Sequence, residues 1–248
     1  MRACVLIPTY DNPRTVRQVV VAARAFVVDV IVVDDGGGPE ASAVLEQLAS
    51  DGLARVQRLP RNQGKGAAVK AGFALAHSLG YTHALQLDAD GQHDVRAIPR
   101  FLEVAQAQPG ALVLARPVFG ADAPWRRRIG RELTNFWVGI ETQGRVVADA
   151  MVGFRMYPLT LALATETRAD RMDFDIEIAV RMVWLGAPVI NLPVSVRYLT
   201  REEGGVSHFR MWRDNVRISW LHTRLVIESL MRTPTTRLRW GRRLPEPV

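Results

Sequence analysis

Asp88 and Asp90 stand two positions apart in the run Leu87-Asp88-Ala89-Asp90-Gly91-Gln92-His93. The apolar stretch 84–87 precedes them, so an extended chain sends both carboxylates to the same side. Two carboxylates held close repel and raise each other's pKa unless a cation lies between them. Their hard oxygens favour Mg2+ or Mn2+ over zinc. Gly91 permits a tight turn, and Gln92 or His93 can add a ligand. An ion held there would stabilise charge gathering on a departing diphosphate and keep that group in place. The plain alternative is an Asx-rich turn capping a helix, since Asp-Ala-Asp-Gly is also good turn chemistry.

The elements that must position these acids decide between the two. Residues 3–7, 28–33, 55–59, 84–87 and 111–114 are short segments predicted as strands, apolar in 3–7 and 28–33. Between them, 13–25, 39–48, 65–79 and 97–107 carry helical spacing. Strand and helix in alternation predict an α/β fold with a doubly wound, mostly parallel sheet and helices on both faces. Handed crossovers put the strand-to-helix loops on one edge, where ligands bind. Tyr10-Asp11-Asn12, Asp34-Asp35 and Asp88-Ala89-Asp90 each follow a predicted strand, so three acidic loops meet on that edge. Beyond residue 115 the pattern loosens. Residues 119–128 read as a Gly-, Pro- and Arg-rich loop and 130–140 as a helix. Residues 152–157 read as a strand, 174–185 as a helix, and 189–198 as one or two strands broken at Pro193. Residues 200–208 form a polar loop, and 211–232 a last helix before a basic tail. The division expected is a main domain, 1–209, and a basic C-terminal helix and tail, 210–248.

Hydrophobic residues make up 48% and charged residues 23% of the chain, a mix that argues against disorder. The single cysteine, Cys4, allows no disulfide within the chain and suits a reducing compartment. It reads as a buried strand residue rather than a nucleophile. The first residues lack the form of a signal peptide, and no run reaches the roughly 18 apolar residues that span a bilayer. A cytoplasmic protein is expected, free or attached to the inner face of a membrane. Net charge is +7, and from Arg197 onward eleven arginines face five acids. That bias suggests an anionic partner, although a solvated basic surface would look the same.

Taken in order, IPTYDN (7–12), VVDDGG (32–37), RNQGKGAAV (61–69), LDADGQH (87–93), VGFRMY (152–157) and REEGGVSHF (201–209) form a specific set. With them the chain resembles family 2 glycosyltransferases of the GT-A fold. It is especially similar to the branch that acts on polyprenyl or dolichyl phosphate. The resemblance implies a metal-dependent, inverting transfer from a UDP- or GDP-sugar to a lipid-linked acceptor, with Mg2+ or Mn2+ as cofactor. It places Pro8, Tyr10 and Asp11 in the nucleoside pocket, and Asp35 on base or ribose. Asp88, Asp90 and Gln92 match the metal and pyrophosphate positions, with Ala89 between them, and Lys65 lies near the nucleotide. Arg116 falls where an arginine faces the acceptor or leaving phosphate, and Arg201 where one meets the diphosphate. The sequence departs from the branch at His208, where a phosphate-binding lysine is usual, and at Arg131, near a serine that contacts the lipid phosphate. The transmembrane helices that some members append are absent.

A hydroxyl acceptor needs a general base, whereas an acceptor that is already a phosphate does not. Arg181 and Gly186 match the family's spacing after an acidic pair, which implies Asp175 as base, with Asp173 and Glu177 in reserve. Acids at a helix N-terminus, favoured by its dipole, are the alternative. Asp149 is a lesser acceptor-side candidate, and Arg155 is either structural or phosphate-facing. In the last helix Arg210, Arg213, Arg217 and Arg224 fall within an arc of roughly 60°. Trp212, Val216, Trp220 and Ile227 lie on one flank. This pairing suits either an interfacial helix on the cytosolic leaflet or a core helix with one wet stripe. A lipid, polyene pigment or glycan hydroxyl is the alternative acceptor. Outside the class stand an NAD-dependent dehydrogenase and a nucleic-acid-binding protein. The third glycine of Gly64-x-Gly66 is replaced by Val69, and no aromatic nucleic-acid motif is present. Oligomeric state is not legible.

Overall fold

Strand β1 (Ala3–Thr9) is buried over six of its seven residues, because helices cover both faces of the sheet around it. Helix α1 (Val16–Arg24) follows, then β2 (Val30–Asp34), α2 (Pro39–Ser50) and β3 (Arg55–Arg58). Helix α3 (Lys65–Ser78) leads into β4 (His83–Gln86), and α4 (Ile98–Ala107) into β5 (Leu112–Phe119). Helix α5 (Trp125–Glu141), β6 (Arg155–Pro158), α6 (Leu159–Ala164), α7 (Phe174–Trp184), β7 (Val189–Val196) and α8 (Met211–Met231) complete the chain. This is a computed structural model, and it describes residues 1–119, 125–144, 146–197 and 211–232.

The strands form one sheet in the order β3-β2-β1-β4-β6-β5-β7. All neighbours pair parallel except at β6, which runs antiparallel between β4 and β5. Two apolar layers cover its faces. One holds Leu6, Ile31, Phe73 and Tyr157 under α3, α6 and α7. The other holds Ile7, Val20, Leu48 and Phe101 under α1, α2 and α4. From β1 the chain winds outward to β3 and then crosses back to β4, leaving a crevice beyond the ends of β1 and β4. The expected fold is present: a GT-A, Rossmann-like α/β sheet with helices on both faces.

Three local expectations are corrected. The stretch 119–128 is not simply loop, since β5 continues to Phe119 and α5 begins at Trp125. Pro117 is tolerated in β5 because pairing with β6 covers only Val113 and Leu114, so its missing N–H costs no ladder bond on that side. Strand β7 is not broken at Pro193, because β7 is an edge strand and Pro193 can face its open side. Helix α6, too short for a periodic signal, is an element the sequence reading lacks. Cys4 is fully buried, and burial pushes its thiol up to about 12, so it is inert at neutral pH.

Candidate active site

Each acidic loop sits at the end of a parallel strand, and each is held by backbone donors. Asp11, in the left-handed region at φ 49°, accepts from Gly38 N at 2.6 Å. Asp34 accepts from Gly37 N at 2.8 Å and pairs with Arg58 at 3.2 Å. Asp35 accepts from Gln63 N at 2.7 Å and Gly64 N at 2.8 Å, one on each oxygen. Burial, opposed by those two hydrogen bonds, leaves its carboxyl above the usual range. Asp35 therefore fixes the loop that opens α3, in addition to any nucleoside contact. Gly64 has φ 110°, and a side chain there would overlap the Asp170 carbonyl; only glycine lets the loop turn into Lys65. Pro8 is paired with Val33 inside the sheet, and Tyr10 stands half-buried at the strand end.

Lys65 is the centre of the constellation. Its Nζ lies 2.7 Å from Asp88 Oδ1 and 2.7 Å from Asp175 Oδ2. Asp175 Oδ1 accepts from Gln86 Nε2 at 3.2 Å. The structure thus joins three residues that are 110 positions apart at their extremes, from α3, the β4 loop and α7. Burial would lower the Lys65 ammonium, but Asp175 and Asp88 outweigh it and hold the pKa above its ordinary value. Burial likewise pushes Asp88 up, but Lys65 and His93 outweigh it and hold that carboxyl well below the usual range. Asp90 shifts the other way. Burial and the charge of Asp88 raise it, and its Oδ1 accepts from Gln92 N at 3.1 Å. Ala89 is buried, and its carbonyl accepts from Thr15 Oγ1 at 2.7 Å, which ties the acidic turn to the start of α1.

Among the described residues, Asp88 and Asp175 share the Lys65 ammonium, the buried Arg155 guanidinium stands behind Asp175, and Asp90 forms no ion pair, so carboxylates outnumber cations at the turn. His93 Nδ1 and Gln86 Oε1 are also buried without a partner among the described residues, and His93 Nε2 stands 3.8 Å from Asp88 Oδ2. Hard oxygens that carry an excess of negative charge fit a divalent cation. Among the described residues no group of three His, Cys, Asp or Glu converges as a ready-made cage. The fit is accordingly to an ion that keeps other ligands, such as phosphate oxygens and water, as Mg2+ does.

A cavity of about 670 Å3 opens beside this turn, lined in part by Gly91, Gln92, His93, Phe119 and Arg197. Its wall is tied together where Arg197 N donates to the Gln92 carbonyl at 2.9 Å. Gln92 itself is half-buried on that wall. Arg116 is exposed on β5, in register with Pro193. Arg201 and His208 lie outside the described residues.

Among the other candidates, Arg155 is structural. It is fully buried and donates to the carbonyls of Ala150, Val152 and Asp175. Asp149 forms a two-pronged pair with Arg131 at 2.8 and 2.6 Å. Glu177 faces α8, away from Lys65: it binds Arg181 and Arg224 and accepts from Arg168 N and Ala169 N. Asp173 occupies the N-cap position of α7 but makes no capping bond. Gly153 is the site residue that sequence reasoning missed. Antiparallel β6 starts at the edge where the parallel strands end, so the turn before it packs behind Asp88. Any side chain on Gly153 would overlap the Asp88 carboxylate. The glycine inside VGFRMY was the available signal, but without β6's direction it has no address.

The comparisons with known proteins agree with this geometry. Residues 4–161 match the profile described as glycosyl transferase family 2. Polyprenol monophosphomannose synthase of Mycolicibacterium smegmatis is 29% identical, over 87% of this chain and 83% of that protein. Undecaprenyl-phosphate mannosyltransferase of Micrococcus luteus is 27% identical, over 82% of this chain and 86% of that protein. Glucosyl-3-phosphoglycerate synthase of Mycobacterium tuberculosis, solved with Mn2+ and UDP-glucose, superposes with a TM-score of 0.65 at 14% identity, over 92% of this chain and 78% of that one. That last likeness is one of fold. With a GT-A sheet, an acidic turn at its crevice and a family profile across most of the sheet, the chain belongs to glycosyl transferase family 2 and is a glycosyltransferase.

Proposed function

We propose that this enzyme moves a sugar from a nucleoside diphosphate donor to a polyprenyl phosphate, with a divalent cation held by Asp88, Asp90 and Gln92. The observation that carries this reading is the excess of carboxylates over cations among the described residues of the β1–β4 crevice, beside a cavity large enough for a nucleotide sugar. The relatives named for polyprenol and undecaprenyl phosphate support the acceptor class. Mn2+ in the structural neighbour is compatible with the cation. The lipid acceptor would place the enzyme at the cytosolic face of a membrane.

When bound, Mg2+ or Mn2+ supplies Lewis-acid charge to the leaving diphosphate. Asp11, Asp35 and Tyr10 line the nucleoside end of the crevice, while Lys65 holds Asp88 in place. The acceptor phosphate oxygen attacks the anomeric carbon as the bond to the donor's β-phosphate oxygen breaks. The electron pair leaves with the diphosphate, and a single displacement inverts that carbon. Asp175 has one oxygen on Lys65 and the other on Gln86, so abstracting a proton would require it to give up that pair. A phosphate acceptor, mostly ionised at neutral pH with a second pKa of about 6, needs no such base. We therefore assign Asp175 to the site as the residue that positions Lys65. This favours the phosphate acceptor over a hydroxyl. Arg116, exposed on β5, is the arginine assigned to the acceptor phosphate. Arg201 and His208 are assigned to the diphosphate on their sequence positions alone.

Donor profiling tests the reading. UDP-, GDP- and dTDP-sugars are each assayed for transfer to polyprenyl phosphate with Mn2+, Mg2+ or EDTA. Transfer with one donor and a divalent ion, abolished by EDTA, is expected. Full turnover in EDTA would overturn the cation assignment, and transfer only to free alcohols would overturn the acceptor.

A further inference from the structure

The turn between β3 and α3, with the first residues of that helix (61–67), is gripped from two sides. On one side lies the loop after β2. Gly36 has φ 73°, and a side chain there would overlap the backbone of Arg61 and Asn62, so only glycine lets these two loops close on each other. On the other side lies the loop between α6 and α7. The Asp170 carbonyl accepts from Ala67 N at 3.0 Å, which satisfies one of the open donors at the start of α3. A side chain on Gly66 would overlap Phe174, just as one on Gly64 would overlap Asp170. The two glycines of Gly64-Lys65-Gly66 thus make room for residues 170–174.

Arg171 reaches beyond these contacts. Its Cγ lies where a side chain on Gly64 would stand, and its Nη1 donates to Asn62 Oδ1 at 3.1 Å. Asn62 directly precedes Gln63 and Gly64, whose N–H groups hold the two oxygens of Asp35. Burial raises the Asp35 carboxyl; those two N–H groups, and then the positive charge of Arg171, oppose the rise. The α6–α7 loop does not need this bond to stay in place. It already has Ala67 N on the Asp170 carbonyl, Lys70 on the Asp170 carboxylate at 2.6 Å, and the N–H groups of Arg168 and Ala169 on Glu177. What Arg171 adds is a brace on the stretch that supplies Asp35 with its donors. Lys65, one residue further on, is fixed by its own ion pairs to Asp88 and Asp175, so the cation end of the crevice is set separately.

We propose that Arg171 is a positioning residue for the nucleoside half of the donor: through Asn62 it holds the 62–64 turn against Asp35, and so sets donor affinity without touching the reacting atoms. This rests on the nucleotide-sugar reading of the crevice.

Calorimetric titration of the full chain tests it, with UDP, GDP and dTDP, and separately with inorganic diphosphate, all in the presence of Mg2+. Arg171→Ala and Asn62→Ala should each weaken the preferred nucleoside diphosphate about tenfold, the usual worth of a charge-assisted hydrogen bond. The double variant should bind no more weakly than either single one, because both remove the same bond. Arg171→Lys, which keeps a charged donor, should recover part of the affinity. Inorganic diphosphate should bind all of these variants alike. In transfer assays Arg171→Ala should raise the donor KM by more than it lowers kcat. Undiminished nucleotide affinity in Arg171→Ala would overturn the assignment, as would additive losses in the double variant. An equal loss of inorganic diphosphate would overturn it too, since that marks general damage to the crevice. If Arg171→Ala does not fold, Asn62→Ala and Arg171→Lys carry the same comparison. A wild type that binds inorganic diphosphate but none of the three nucleotides would sink the nucleotide-sugar reading and this assignment with it, whereas variants that bind nucleotide as the wild type does sink the assignment alone.

Discussion

Asp175 and Glu177 stand two residues apart on α7, both buried and both paired with cations, yet they belong to opposite kinds of network. Glu177 is saturated. Its Oε1 takes Arg181 at 2.8 Å and Arg224 at 2.6 Å, while Oε2 takes the N–H groups of Arg168 and Ala169. With Glu228 added, two carboxylates face two guanidinium groups and the charges cancel. Around Asp175 two buried cations, Lys65 and Arg155, stand among three carboxylates, and Gln86 Oε1 and His93 Nδ1 have no partner among the described residues. A charge-balanced network fastens α8 to the domain. An unbalanced one at the sheet's active edge is a place for a ligand to bring charge. Fixed, incompletely answered charge is also what electrostatic catalysis requires.

Four measurements can break or sharpen this contrast. Largest in effect, Asp90→Ala should lower transfer by about 10³, in the range for loss of one preorganised electrostatic group, while Tm holds or rises. A large fall in Tm would place Asp90 with the structural network. Glu177→Ala should do the reverse, costing about 3 kcal/mol or more of stability and roughly 6–12 °C in Tm. Calorimetry together with kcat on the folded fraction checks both halves, and unchanged Tm would remove the distinction. Gly153→Ala should reduce transfer about 10²-fold by pushing Asp88 off its position. Restored activity on adding more metal would argue that only affinity was lost.

The smallest effect is a pH dependence. Asp90's carboxyl is raised in the folded protein, so its ionisation costs stability as pH rises past its ordinary value of about 3.9. Asp88 has the opposite sign. Its depressed carboxyl contributes stability above that ordinary value and loses it as pH falls through the folded one. Mn2+ binds the ionised acids, so at a hundredfold excess over Kd it should stabilise the fold at neutral pH by roughly 2–3 kcal/mol, about 4–12 °C in Tm. That gain should vanish as the pH falls through the raised value of Asp90. An equal gain in acid, followed by differential scanning fluorimetry, would place the ion elsewhere.

The alternation of apolar runs and helical spacing through residue 115 determined the parallel sheet, its active edge and the acidic loops on it. Those signals are local: a strand's burial and the loop that follows it are written in consecutive residues. The C-terminal half was legible only in outline. Pro117 and Pro193 look like breaks until neighbours and edges are known, and α6 is too short for a period to form. At the site, the residue types and the Asp88–Asp90 spacing were visible, whereas the ion pairs of Lys65 were not. Only the family's spacing put Asp175 ahead of Asp173 and Glu177, and nothing local in the sequence identified their partners. A helix turns successive acids to different neighbours, and those neighbours, Lys65 on α3 and Arg224 on α8, come from distant parts of the chain. Gly153 likewise gains its meaning only when β6 inserts antiparallel and brings its turn against Asp88. Sequence determined which chemistry was available; packing decided which charges met partners and which stayed open, because pairing depends on distances that only the folded chain sets.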